Sequence, residues 1–257
     1  MAVKGAAVRL EHLTKTYPDG TRALDDVTFE VYPGDFMVII GLSGSGKSTL
    51  MRCINRLIEP TSGKIYIDDV EVTALRADEL RALRRQIGMI FQQFNLVKRS
   101  SVLTNVLSGR LGYVSPTWAL TNYFPRNVRE QAMQNLGRVG IPEKASTRAD
   151  QLSGGQQQRV GIARALMQEP RVILADEPVA SLDPATSHSV LKYIEELKND
   201  GITVLCALHF LSLARRYGTR LIALKGGRIV FTGYPQDIDE ARFKEIYGEE
   251  AVEVEIA

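Results

Sequence analysis

Cysteine is nearly missing from this chain: there are two, Cys53 and Cys206, in 257 residues. Neither stands at a metal-ligand spacing, and each lies in an apolar pattern. This excludes a disulfide framework and a cysteine-based zinc module, and leaves two buried free thiols in a reducing compartment as the expectation. An excess of one charge is missing too. Against 32 basic residues stand 30 acidic ones, a net +2, which gives no basis for general nucleic-acid binding. The longest apolar-rich run, Ile202 to Ala214, is interrupted by His209, and a membrane span needs about 20 apolar residues. The opening MAVKGAAVRLEHL lacks the apolar core of a signal peptide. Internal repeats and low-complexity segments are absent. What remains is a chain expected in the cytosol, reaching a membrane only through partners, and long enough for one large α/β domain with a subdomain.

The most informative stretch is Gly41-Leu42-Ser43-Gly44-Ser45-Gly46-Lys47-Ser48-Thr49. It follows the apolar run Phe36 to Ile40 and precedes a helical pattern with Leu50, Ile54, Leu57 and Ile58 on one face. Strand, glycine loop and helix form the context of a phosphate-binding loop. Gly41, Gly44 and Gly46 let the backbone curl so that successive N–H groups and the helix N-terminus cradle anionic oxygens. Lys47 can reach the β- and γ-phosphates, and the Ser48 hydroxyl can ligate Mg²⁺. The bland alternative is a glycine-rich turn that happens to fit.

Around this loop the pattern alternates. Strands are expected before the turns Pro18–Gly20 and Pro33–Asp35, with Tyr17 just ahead of the first. A strand over KIYIDD, a charged helix near Asp78 to Arg85 and a short strand from Ile87 to Gln92 follow. From Phe94 to about Ala149 helices dominate, near Ser101 to Leu107 and Arg126 to Val139. Between those two lies a glycine-, proline- and aromatic-rich stretch with Trp118. Strand-helix alternation then resumes: RVILAD, a helix from Pro184 to Lys198, ITVLCAL, and a helix from Phe210 to Tyr217. A hairpin through Lys225 to Arg228 and a short helix within Asp237 to Tyr247 close the chain.

Two further motifs carry chemistry. RVILADEP is an apolar strand, as suits a doubly buried parallel strand, ending in Asp176 and Glu177. Asp176 can hold Mg²⁺ through water, and Glu177 can orient and deprotonate an attacking water. Without the glycine loop this would read as a strand and an acidic turn. Leu152-Ser153-Gly154-Gly155-Gln156 opens a helical pattern, with Ser153 as N-cap and amides left exposed by the two glycines. His12 reads as a surface histidine, His188 as a solvated helix residue, the Arg81 to Arg85 run as a solvated helix face, and Asp183 as an N-cap.

GLSGSGKST, LSGGQ and LADEP, in this order, resemble the motifs of an ATP-binding cassette ATPase. The resemblance spans nearly the whole chain. It implies an α/β fold: a P-loop NTPase, RecA-like core (1–92 and 159–257) with an antiparallel β subdomain and an inserted α-helical subdomain (93–158). It also implies ATP and Mg²⁺ as ligands. Under it, Tyr17 stacks on adenine, Gln92 (with Gln93 as the competing choice) joins core to insertion and reaches the metal beside Ser48 and Asp176, and His209 reaches the γ-phosphate. Ser181, Leu182 and Asp183 form a loop crossing between protomers. The implied assembly is a head-to-tail homodimer in which Ser153 to Gln156 of one chain cap the ATP on Gly41 to Thr49 of the other, with Glu177, His209, Lys47 and Gln92 catalytic.

The stretches SGRLGYVSPTWALTNYFPRNVREQAMQNLGRVGI and LARRYGTRLIALKGGRIVFTG resemble the ATPase subunits of phosphonate importers, a group that extends to phosphite and phosphate uptake. One departure is Phe210-Leu211-Ser212, where that group carries a more polar step. The implied partners are membrane permease subunits and, indirectly, a substrate-binding protein, with no nucleic acid. The implied location is the cytoplasmic face of the inner membrane. An exporter or lipid-extraction ATPase would share every catalytic motif. A non-transport cassette would bring a second cassette, coiled coils or zinc modules, and no extra regulatory domain is expected after Gly233.

Overall fold

The computed structural model describes residues 4–113 and 124–251; Trp118 and the centre of its aromatic stretch lie outside them. Two sheets organise the chain. An antiparallel sheet has the order β2 (Arg22–Val31), β1 (Val8–Thr16), β4 (Ser62–Ile67), β5 (Val70–Glu71). A six-stranded sheet has the order β10 (Arg228–Gly233), β9 (Arg220–Lys225), β3 (Phe36–Ile40), β8 (Thr203–Ala207), β7 (Val172–Ala175), β6 (Ile87–Ile90). From β9 to β6 all neighbours run parallel, and β10 returns antiparallel along the edge.

The apolar runs that mark β3, β7 and β8 in the sequence are buried on both faces, because side chains alternate across a strand. Phe36, Val38 and Ile40 of β3 join one apolar cluster, with Ile173 of β7, Val204 and Cys206 of β8, and the helices α4 (Arg126–Arg138), α5 (Gly154–Leu166), α6 (Pro184–Asn199) and α7 (Leu211–Tyr217). Met37 and Ile39 join the other, with α1 (Lys47–Ile54), α2 (Ala77–Arg84) and the inner face of the antiparallel sheet. Both cysteines are buried free thiols. Burial pushes the Cys53 thiol up to about 12 and raises that of Cys206.

Between the neighbouring strands β6 and β7 the chain leaves the sheet for α3 (Val102–Leu107), α4 and α5. The last helix among the described residues is α8 (Glu240–Tyr247), whose N-cap Asp239 accepts a bond from the Arg242 amide.

Several expectations need correction. α1 stops at Ile54, and Leu57 is 49% exposed rather than on a buried face. The reason lies in the arginine run read as solvated. Arg84 donates to the Asn55 and Arg56 carbonyls at 3.0 and 2.6 Å, satisfying carbonyls that the end of α1 leaves open. His188 is half-buried, with its Nδ1 at 3.0 Å from the Tyr217 hydroxyl between α6 and α7. His12 is a surface residue as expected, paired with Asp26. No described helix is long and apolar enough to cross a membrane.

Candidate functional site

Parallel strands bring their C-terminal ends to one edge, where an open α/β sheet builds its sites. There stand the glycine loop after β3, His209 after β8, Asp176 and Glu177 after β7, and Gln92 after β6. The glycine loop is tight. Gly41 has φ 146°, and a Cβ there would lie 2.2 Å from the Leu224 carbonyl oxygen, so no larger residue fits. Ser45 is buried, with its Oγ lacking a partner. A cavity of about 130 Å³ opens on the loop, lined by Ala23, Gly44, Gly46, Lys47, Ser48, Thr49 and Glu177. Tyr17 stands at its side, its hydroxyl 3.2 Å from Thr49 Oγ1.

Lys47 is 3% exposed. Its ammonium donates to the Gly41 and Leu42 carbonyls at 2.8 and 3.1 Å and stands 3.4 Å from Glu177 Oε1. Burial pulls its pKa below the ordinary lysine value, against the pull of Glu177. The other Glu177 oxygen lies 2.8 Å from His209 Nε2. That hydrogen bond, aided by the charge of Lys47, holds the Glu177 carboxyl below its usual range. Glu177 has φ 49°, a left-handed backbone that costs a non-glycine residue energy and recurs at functional sites. Asp176 is 2% exposed and accepts a 2.7 Å bond from the Ser48 hydroxyl. Burial raises its pKa, opposed by Ser48 and by Arg52.

Arg52 was missed in the sequence. Its guanidinium lies 3.6 Å from Asp176 Oδ2. It stands four residues after Ser48 on α1, so both reach Asp176 from one helix face; that spacing was the available signal.

Ser48 and Asp176 together offer two hard oxygen donors, a set that suits Mg²⁺ completed by phosphate oxygens and water. Among the described residues no group of three or more His, Cys, Asp or Glu side chains is placed to hold a metal by itself.

Gln92 is not brought to this cavity. It is exposed, and with Gln93, Phe94, Asn95, Leu96, Lys98, Asp150, Gln157 and Ser181 it lines a separate cavity of about 610 Å³. Its strand is the third from β3, roughly 14 Å away at ordinary strand spacing.

The LSGGQ segment lies apart from the phosphate cavity as well. Ser153 caps α5, its Oγ accepting from the Gln156 amide at 3.3 Å, while the Gln156 Oε1 accepts from the Ser153 amide at 3.0 Å. Gly154 is half-exposed, but Gly155 is buried, contrary to the expectation of two open amides. A Cβ at Gly155 would lie 2.3 Å from Thr186 Cγ2, so glycine is required for the approach of α5 to α6. Asp183 caps α6 by accepting from the Thr186 amide at 3.0 Å.

The ABC transporter family pattern matches residues 24–180. The chain is 56% identical over 256 residues to the phosphonates import ATP-binding protein PhnC of Bdellovibrio bacteriovorus, covering 99% of this chain and 98% of that one. It is 52% identical over 243 residues to the protein of the same name from Bacillus anthracis, covering 94% and 95%. Among solved structures it superposes on a dimeric ATP-binding cassette in a post-hydrolysis state with ADP and Pi, with TM-score 0.79, 37% identity, and 90% and 100% of the two chains covered. A nucleotide-free cassette of an ABC transporter matches with TM-score 0.78 and 31% identity over 94% of each chain.

Proposed function

The chain belongs to the ABC transporter family, and from that premise we propose that it hydrolyses ATP to drive import of a phosphonate, or a related phosphorus oxyanion, through a membrane permease. The observation that carries the reading is the meeting of Lys47, Glu177 and His209 at the mouth of the glycine loop, with Ser48 against Asp176. The import assignment rests on full-length relatives with that printed function.

The residues divide the work. The loop amides from Leu42 to Thr49 cradle the phosphates, and Lys47 exchanges the Gly41 and Leu42 carbonyls for the β- and γ-phosphates. Tyr17 offers its ring to adenine, worth about 1–3 kcal/mol by analogy with base stacking. Ser48 and Asp176 would hold Mg²⁺, which neutralises phosphate charge. Glu177 takes the proton of the attacking water. Before nucleotide enters, Lys47 and His209 hold that carboxylate ionised; once phosphates claim Lys47, Glu177 loses one cation and becomes a stronger base. His209, bonded to Glu177, reaches toward the γ-phosphate.

The inserted helical unit moves on the core, and because α5 runs unbroken from Gly154 to Leu166 the expected boundary between 93–158 and 159–257 falls inside one helix, so α5 moves with the insertion as a whole. In a head-to-tail homodimer, Ser153 to Gln156 of one chain close over the phosphates of the other. The lining of the phosphate cavity, to which Ser153 to Gln156 of the same chain do not contribute, supports that arrangement, as does the dimeric state of the solved relative. The permease docks in the cleft lined by Gln92 to Leu96 and holds the chain peripherally on the inner membrane; a substrate-binding protein selects the ion outside.

Ser153→Arg should leave ATP binding to the isolated chain intact and lower turnover by about 10²-fold or more, the scale for losing an oriented donor at a transition state. Losing the cap costs about 1 kcal/mol, small beside a domain's stability of about 5–15 kcal/mol. Normal turnover in a folded variant would remove the cross-subunit site. For the transport reading, the chain is reconstituted in vesicles with its permease and binding protein. ATPase activity should rise with alkylphosphonate, phosphite or phosphate at the binding protein. Stimulation by none of the three would overturn the assignment to phosphorus oxyanions.

A further inference from the structure

The backbone just past β6 is bent in a way that the nucleotide reading leaves unexplained. Phe94 and Asn95 stand consecutively at φ 56° and 49°, a region that asparagine tolerates and phenylalanine avoids. The Asn95 amide donates to the Gln93 carbonyl at 2.5 Å, closing a three-residue turn around Phe94. Such turns with positive φ at the centre are rare and strained. A strained turn persists only when its surroundings hold it.

The holder is Arg164, in the last turn of α5. Its Nη2 donates to the Phe94 carbonyl at 2.8 Å and its Nη1 to the Asn95 carbonyl at 2.5 Å. A rigid planar fork suits two adjacent acceptors in a way a lysine ammonium does not. Arg164 is half-buried, and burial pulls its pKa below the ordinary arginine value, with no carboxylate among the described residues acting in the opposite sense. A guanidinium in this setting normally has an acidic partner; here two carbonyl dipoles and the negative end of α5 take that place. The same helix begins at Ser153. One rigid element therefore carries the LSGGQ turn at one end and a grip on the Gln92 loop at the other.

We propose that Arg164 is a positioning residue: its guanidinium holds the Phe94–Asn95 turn and so sets how far Gln92 stands from the phosphate loop, tying that distance to the position of α5. The activity part of this proposal rests on the nucleotide reading of the site, extended by an approach of Gln92 to the phosphates when α5 moves; the structural part does not.

The test compares the wild type with Arg164→Lys, Arg164→Met and the double variant Arg164→Met/Phe94→Gly, since Phe94 is the residue that the left-handed turn strains. Amide hydrogen exchange over residues 91–97 should speed up by about tenfold in Arg164→Met, with α5 itself unchanged, since a local opening is read separately from global unfolding. Arg164→Lys, with one point charge for two carbonyls, should fall between. In the double variant exchange should recover in part, because glycine enters the left-handed region without the penalty. Arg164→Met should lower kcat by about 10- to 100-fold, the scale for a small misplacement at a site, while ATP affinity stays unchanged. The double variant should regain much of that loss.

Unchanged exchange at 91–97 in Arg164→Met would overturn the grip. Faster exchange throughout α5, with no recovery in the double variant, would make Arg164 an ordinary packing residue and overturn the proposal as well. Altered exchange with normal kcat would overturn its link to Gln92. A wild-type chain with no ATPase activity would sink the nucleotide reading instead, and the exchange comparison would still decide whether Arg164 holds the turn.

Discussion

A Glu177→Gln protein should bind ATP, fail to hydrolyse it, and run as a stable dimer in Mg-ATP and as a monomer in ADP. A general base contributes about 10²–10⁴ in rate, so turnover should fall by that range. Glutamine keeps the size of the side chain and part of its bonding to His209 and Lys47 but cannot take up a proton. The phosphate cradle is untouched, since Lys47 keeps its position through the Gly41 and Leu42 carbonyls and Ser48 keeps its bond to Asp176. The left-handed backbone at position 177 is as accessible to glutamine as to glutamate. Two trapped ATP molecules, each held between Lys47 of one chain and Ser153 of the other, would then keep the chains together. Light scattering coupled to size exclusion reads the dimer, and phosphate release reads the rate. Wild-type turnover would reject the role given to Glu177. Lost turnover with a persistent monomer in ATP would reject the ATP sandwich of the isolated chain and keep the base.

Lys47→Ala should lose hydrolysis to a similar or greater degree, but with the opposite signature in assembly. The buried ammonium is within reach of both the loop and Glu177, and among the described residues that line the phosphate cavity no other is a cation. Removing an oriented charge from a transition state costs about 10²–10³ in rate, and here ground-state binding of the β- and γ-phosphates falls too. The variant should therefore bind ATP weakly and form no dimer at ATP concentrations that dimerise Glu177→Gln. Its fold should hold. The Gly41 and Leu42 carbonyls lose a donor, at about 1–3 kcal/mol if they stay dry, but the costly burial of a lysine charge is relieved. A titration with a fluorescent ATP analogue separates the two variants: tight binding without turnover for one, weak binding without turnover for the other. Near-normal turnover of Lys47→Ala would sink the phosphate-loop assignment.

The chemistry of this protein was legible where it is local in the chain. Phosphate binding needs a curled glycine loop between a strand and a helix, so GLSGSGKST shows itself within nine residues, and the buried runs of β3, β7 and β8 follow from apolar residues alternating across a sheet covered on both faces. Asp176 and Glu177 could be read from the end of an apolar strand, and Asp183 from the proline after it. The relations between segments were decided by tertiary structure. The strand order β3-β8-β7-β6 puts His209 and Glu177 beside Lys47 and leaves Gln92 at a separate cavity; strand order depends on crossovers, and those depend on packing over long separations. Arg84 was hidden for the same reason, since only the fold brings it to the end of α1. Gly155 reads in the sequence as an open amide and in the structure as the contact point of α5 with Thr186. The left-handed turns at Glu177 and at Phe94–Asn95 had no signal at all: their cost is local, but the groups that hold them, His209, Lys47 and Arg164, come from elsewhere in the chain and meet them only in the folded molecule.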